Sequence, residues 1–145
     1  MAPKNWLSCS SVWRIARAAG YDSFLMFNLY AQRATDPDHM EKRLNERLHA
    51  ANMEAFEYIL THASPTPDVW AAWGAIIEKR DYLFDCVKDM AKIAKKAGAN
   101  WYICGKRSRA GHPHHPLYLK NGSPLEPFDI EDYCAHFAKG EAADA

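Results

Sequence analysis

The sequence predicts an α/β domain: a three-layer sandwich with a short, mainly parallel central sheet flanked by helices. Three observations lead there. Short, continuous apolar runs at 24–27, 69–73 and 101–104 read as strands buried on both faces. Stretches with helical apolar spacing, at 45–62 and 78–97, lie between them. A chain of 145 residues is one ordinary domain, long enough to bury about two thirds of the surface that it exposes unfolded.

The elements follow in order. Residues 6–19 read as a helix, with Ser8, Ser10 or Ser11 as cap, Val12, Ile15, Ala16 and Ala19 on one face, and Gly20 as its end. Phe24-Leu25-Met26-Phe27 is the first strand and runs out into Asn28-Leu29-Tyr30. Asp36-Pro37-Asp38 signals a loop or a helix start. The helix at 45–62 buries Leu48, Asn52, Ala55, Phe56, Ile59 and Leu60, and Ser64-Pro65-Thr66-Pro67 breaks it. Val69-Trp70-Ala71-Ala72-Trp73 is the second strand, stopped by Gly74. The helix at 78–97 turns Leu83, Val87, Met90, Ile93 and Ala94 inward and closes at Gly98. Trp101-Tyr102-Ile103-Cys104 is the third strand, stopped by Gly105. A basic loop rich in Gly, Pro and His follows at 106–116, then a brief extended piece at 117–119 and a last helix at 129–138. Residues 1–139 form the expected single domain, and 140–145 a disordered acidic tail.

Composition narrows the function classes. Hydrophobic residues are 48% and charged residues 25%, which excludes disorder as the main state. No apolar run approaches the roughly 20 residues of a membrane span, and no apolar segment follows the N-terminal residues as in a secretory signal. A cytoplasmic protein with no membrane partner is expected. Cys9, Cys86, Cys104 and Cys134 lie too far apart for a CxxC zinc site and read as free thiols. The net charge is zero, yet Lys88, Lys92, Lys95, Lys96, Lys106, Arg107, Arg109 and Lys120 are interrupted by Asp89 alone, and the chain after Lys120 is acidic. The four lysines at 88–96 follow helical spacing and suit a solvated face. Lys106, Arg107 and Arg109 sit in a loop and suit phosphate.

In a parallel sheet, ligands bind beyond the carboxyl ends of the strands. Those ends are 28–33, Trp73-Gly74 and 105–115, and the notable polar residues fall there. Asn28 offers a donor and an acceptor, suited to reading a base edge or to bonding nearby backbone. Gln32 lies on the same edge. Arg33 can clamp a phosphate or pair with Asp36 or Asp38. Trp73 can stack on a planar ligand or fill the core. Gly111-His112-Pro113-His114-His115-Pro116 presents imidazoles on a stiff loop: acid/base or donor groups over a ligand, surface residues of a turn, or metal ligands. Adjacent His114 and His115 with no nearby carboxylate argue against the metal, and no metal or cofactor is expected. Serine-triad, phosphate-loop, dinucleotide and zinc-protease motifs do not occur.

Four motifs, taken in order, resemble domain of unknown function family 1643, an uncharacterised bacterial and phage family. They are Arg14-Ile15-Ala16-Arg17 with Gly20-Tyr21, the run from Phe27 through Asn28, Gln32 and Arg33 to Pro37, Ala71-Ala72-Trp73-Gly74, and Gly111-His112-Pro113-His114-His115-Pro116-Leu117-Tyr118-Leu119. A more distant likeness is to the uracil-DNA glycosylase superfamily, with the first strand missing. That resemblance implies that Asn28 reads a flipped base and that His115, or alternatively His112, donates to the base carbonyl. It implies a nucleotide- or nucleic-acid-binding protein whose glycosylase-like pocket hydrolyses an N-glycosidic bond. No Asp precedes Asp22, so the water-activating carboxylate that the glycosylases carry before their first helix has no counterpart in this sequence. The alternative is a non-catalytic binding protein that keeps the fold. DNA or a nucleotide is the expected partner, and a missing first strand would expose a sheet edge through which a homodimer could form.

Overall fold

A computed structural model describes residues 4–30, 40–116, 119 and 122–144. Its elements are α1 (Lys4–Ala18), α2 (Glu46–Ala63), β1 (Asp68–Trp70), a 3-10 turn (Gly74–Lys79), α3 (Tyr82–Lys96), β2 (Asn100–Cys104), β3 (Leu125–Pro127) and α4 (Ile130–Asp144). The class is α/β, as the sequence predicts. The sheet has three strands in the order β1-β2-β3. β1 and β2 are parallel, with Val69 opposite Trp101, and β3 runs antiparallel to β2, with Glu126 opposite Ile103. The sheet is therefore mixed rather than mainly parallel, because the chain returns after 105–124 to add β3 as a hairpin-like edge strand.

The first apolar run is the largest correction. Residues 24–27 form no strand. Leu25 is 74% exposed and Met26 55% exposed, so the run is not buried on two faces. Its aromatics instead anchor the chain to two helices. Phe24 lies 6.1 Å from Trp13 of α1, and Phe27 lies 5.2 Å from Phe56 of α2. An apolar run reports affinity for a core, and two anchoring rings three residues apart satisfy that affinity without any strand partner.

The second strand is shorter than its apolar run. Ala71 N–H still bonds Tyr102 O at 2.8 Å, but Trp73 takes helical angles and Gly74 turns the chain at φ +63°. Residues 78–79 complete the 3-10 turn rather than opening a helix, because extended Arg80 (φ −144°, ψ 136°) separates that turn from α3. The Arg80 guanidinium is spent on that corner and donates to the carbonyls of Met40, Glu41 and Lys79. Asn45 lies just before α2 and caps it, its Oδ1 accepting from Arg47 N and Leu48 N. Gly98, at φ +70°, releases the chain from α3 into β2. α4 continues to Asp144, past the limit of its apolar pattern.

Residues alternate across β2, and its two faces meet different surroundings. Trp101 and Ile103 join a core with Phe56 and Leu60 of α2, Leu83, Val87, Met90 and Ala94 of α3, and Ile130 and Tyr133 of α4. Tyr102 points the other way, toward α1 across a cavity. The outer edge of β1 is three residues long and follows Pro65 and Pro67, which leaves little ladder for another strand.

Candidate functional site

Two of the three expected segments meet. Gly74 N–H donates to Pro113 O at 2.9 Å, so the His-Pro loop docks on the Trp73-Gly74 corner at the carboxyl end of β1. A Cβ on Gly74 would stand 3.2 Å from His115 Cβ, so only glycine gives both the positive φ and the close approach. The loop also closes on itself: Ser108 N–H donates to His112 O, Gly111 N–H to Ser108 O, and His112 N–H to Ser108 Oγ.

His112 is completely buried. Its Nδ1 lies 2.7 Å from Tyr133 Oη and its Nε2 2.9 Å from Glu78 Oε1. Trp73 Nε1–H, a donor only, bonds the same Tyr133 oxygen at 3.1 Å. These partners assign the proton positions. Tyr133 accepts from Trp73 and gives its own hydrogen to Nδ1, so Nε2 carries the imidazole proton and donates it to Glu78. The Trp73 N–H, the Tyr133 hydroxyl and both His112 nitrogens are thereby partnered, and Glu78 Oε1 ends the chain. Aromatic rings seal it: Phe137 stacks on His112 at 4.8 Å, and Trp73 packs edge-on to Trp101 and Phe128. Burial pushes the Tyr133 phenol well above its ordinary range. The outer end of the chain is wet, since the Glu78 side chain is 55% exposed.

The other expected site residues are placed as follows. His114 and His115 are half-buried, His115 lies against Gly74, and desolvation lowers the His115 imidazole from its usual value. Lys106 and Arg109 are exposed on the loop that leaves β2. Arg107 lies 5.0 Å above the Phe128 ring and 3.8 Å from Asp132. Trp73 is held inside the aromatic cluster rather than presented as a platform. Asn28 is exposed, and its carbonyl accepts from Asn52 Nδ2 of α2 at 3.0 Å. Gln32 and Arg33 lie outside the described residues.

The sequence gives no sign of two features. Glu78 stands 34 positions from His112 and carries no local motif. The second is a cavity of about 700 Å³ between α1 and the Tyr102 face, lined among others by Arg14, Ala18, Tyr21, Tyr102, Leu119 and Ser123. Pro116, the last residue of the His-Pro loop, also reaches it.

A separate array joins Cys86 Sγ, His49 Nδ1 (3.5 Å) and, from His49 Nε2, Asp89 Oδ2 (2.7 Å). Cys86 is fully buried, and burial first, then Asp89 and Asp85, pushes its thiol up to about 12. A thiol so protonated and so enclosed is packing, not a nucleophile. Among the described residues no three His, Cys, Asp or Glu side chains come together as a metal site, and no helix is long and apolar enough to cross a membrane.

The fold and the docked His-Pro loop define a small α/β protein with a mixed sheet. The chain belongs to the family described as protein of unknown function DUF1643, whose family model matches residues 5–117. The match takes in α1, the docked corner and the His-Pro loop, and stops before β3 and α4. No curated protein and no solved structure matches the chain.

Proposed function

We propose that this protein binds nucleotides or single-stranded nucleic acid without hydrolysing them. The observation that carries the reading is the docking of the His-Pro loop on Trp73-Gly74. It fixes the basic loop at 105–109 at the carboxyl ends of the two parallel strands, where such sheets receive ligands. On this reading Lys106 and Arg109, both exposed, hold phosphate. His112 is committed at both nitrogens to its own protein, so it has no remaining atom with which to donate to a base. That commitment favours binding over catalysis.

The test is titration of fluorescent single-stranded DNA with the full chain at several salt concentrations. The reading expects affinity that falls with salt, and a slope reduced by about two in the Lys106→Ala/Arg109→Ala double variant. Salt-independent binding, or none, contradicts it.

One observation supports the hydrolytic alternative. Glu78 puts a partly exposed carboxylate, oriented by His112, next to the loop. Under that alternative Glu78 activates water and His115 faces the base. Release of free base from uracil-containing DNA, lost in Glu78→Gln, would establish it and displace the non-catalytic reading.

A further inference from the structure

We infer that Glu78 gives the basic rim a preference for single-stranded RNA over DNA, by accepting a hydrogen bond from a ribose 2′-hydroxyl. The inference rests on the nucleic-acid-binding reading and deepens it by naming the sugar that the site selects.

Glu78 stands on the same rim as the two cations read as phosphate ligands. The 3-10 turn that carries it begins at Gly74, just past the carboxyl end of β1. The basic loop begins at Gly105, just past the carboxyl end of β2, and the two strands are parallel neighbours. One residue ties turn and loop together. His112 Nε2 lies 2.9 Å from Glu78 Oε1, while the His112 backbone bonds Ser108 through both its N–H and its carbonyl. Ser108 sits between Lys106 and Arg109 in the loop. Among the described residues neither cation pairs with Glu78 or with another carboxylate.

The carboxylate is oriented, yet open to solvent. Ile77, completely buried, pins the turn from the residue before it. The hydrogen bonds run one way, from Trp73 to Tyr133 to His112 to Glu78, so three side chains fix the direction of one acceptor. A packing role alone would be met by an enclosed acceptor, but the Glu78 side chain is 55% exposed. Its Oε1 is held by His112, and its Oε2 has no hydrogen-bond partner among the described residues.

That arrangement narrows the ligand group. A carboxylate accepts and does not donate. It repels phosphate, so it meets a bound strand between phosphates, at the sugar. One free oxygen suits a single hydroxyl better than the paired N–H groups of a guanine edge. The 2′-hydroxyl is the donor that RNA carries and DNA lacks.

The experiment is fluorescence-anisotropy titration of the full chain with RNA, DNA and 2′-fluoro RNA of one sequence. The fluoro sugar keeps an RNA-like pucker but has no hydroxyl hydrogen to donate. The proteins are wild type, Glu78→Gln, Glu78→Ala and Lys106→Ala/Arg109→Ala, with thermal melting to check that each folds. Glu78→Gln keeps an oxygen for His112 and turns a donor outward in place of the acceptor. The inference expects wild type to bind RNA about tenfold more tightly than DNA or 2′-fluoro RNA. It expects both Glu78 variants to bring that ratio within about twofold while binding DNA at least as well as wild type, and the rim variant to weaken RNA and DNA together. Wild type that binds DNA as tightly as RNA overturns the inference and leaves the proposed function standing. A preference that 2′-fluoro RNA shares, or that either Glu78 variant keeps, does the same. Failure to bind any of the oligonucleotides removes both readings.

Discussion

The two faces of β2 solve opposite problems with adjacent residues. On the Trp101 and Ile103 face, rings and aliphatic chains from three helices fill the space, and the polar atoms of His112, Tyr133 and Trp73 are paired with one another. On the Tyr102 face a polar strut holds α1 away from the sheet and leaves about 700 Å³ unfilled. A filled, fully partnered face contributes stability. The other face is held apart from α1 by hydrogen bonds rather than filled by side chains among the described residues. The difference teaches that the histidines singled out by sequence do not share a role. His112 belongs to the packed face, whereas His115 lies at the corner from which the loop leads to Pro116 and the cavity.

Substitutions should break this comparison unequally. The largest effect is expected for His112→Ala, which empties a fully enclosed site and strands the Tyr133 hydroxyl: a loss of about 3–4 kcal/mol in urea unfolding. Gly74→Ala forces a left-handed residue against His115 Cβ and should lose about 1–3 kcal/mol, with the His-Pro loop more open to proteolysis. Tyr133→Phe keeps the ring but leaves the Trp73 N–H and His112 Nδ1 without a partner, a loss of about 1–3 kcal/mol. A loss below about 0.5 kcal/mol in Tyr133→Phe would show that the hydrogen-bonded chain does not hold this face together.

On the open face, the pH dependence of the strut is informative. The hydrogen bond to Asp68 raises the Tyr21 phenol to about 12 from its ordinary 10. Its contribution to stability is therefore whole below pH 10 and is lost as pH rises through 12. The stability difference between wild type and Tyr21→Phe should be constant up to about pH 10 and shrink above it. A difference that grows above pH 10 contradicts the strut. The smallest effect is expected for Leu25→Ser/Met26→Ser. Both side chains are already in water, so the change in stability should stay within about 0.5 kcal/mol, read by thermal melting.

Much of the fold is legible in the sequence because periodicity reports burial. The buried stripe of α3, including Leu83, Val87, Met90 and Ala94, stands in the sequence as spaced apolar residues, and Trp101 to Cys104 reads as a strand and is one. Residues 24–27 mislead because apolar content carries no information about a pairing partner. Two phenylalanines bound for different helices look the same as a buried strand. The strand ending at Trp73 is overestimated for a related reason: Ala71 and Trp73 are apolar because they enter the core, and the ladder ends with the bond from Ala71 N–H to Tyr102 O.

The candidate site divides in the same way. The meeting of Trp73-Gly74 with the His-Pro loop follows from the topology of parallel strands, which places both at one sheet edge. The Glu78–His112 contact depends on how the 3-10 turn meets the His-Pro loop, and the Arg14–Tyr102 cavity on how α1 settles against the sheet. Those placements depend on tertiary packing and leave no local spacing to read.

The most direct test of the division between the packed chain of His112 and the basic loop is amide chemical-shift mapping by NMR during titration of the full chain with single-stranded DNA. Shifts are predicted at Lys106 and Arg109, with His112 and Tyr133 unmoved. Shifts confined to His112, Tyr133 and Glu78, with residues 105–109 silent, would contradict it.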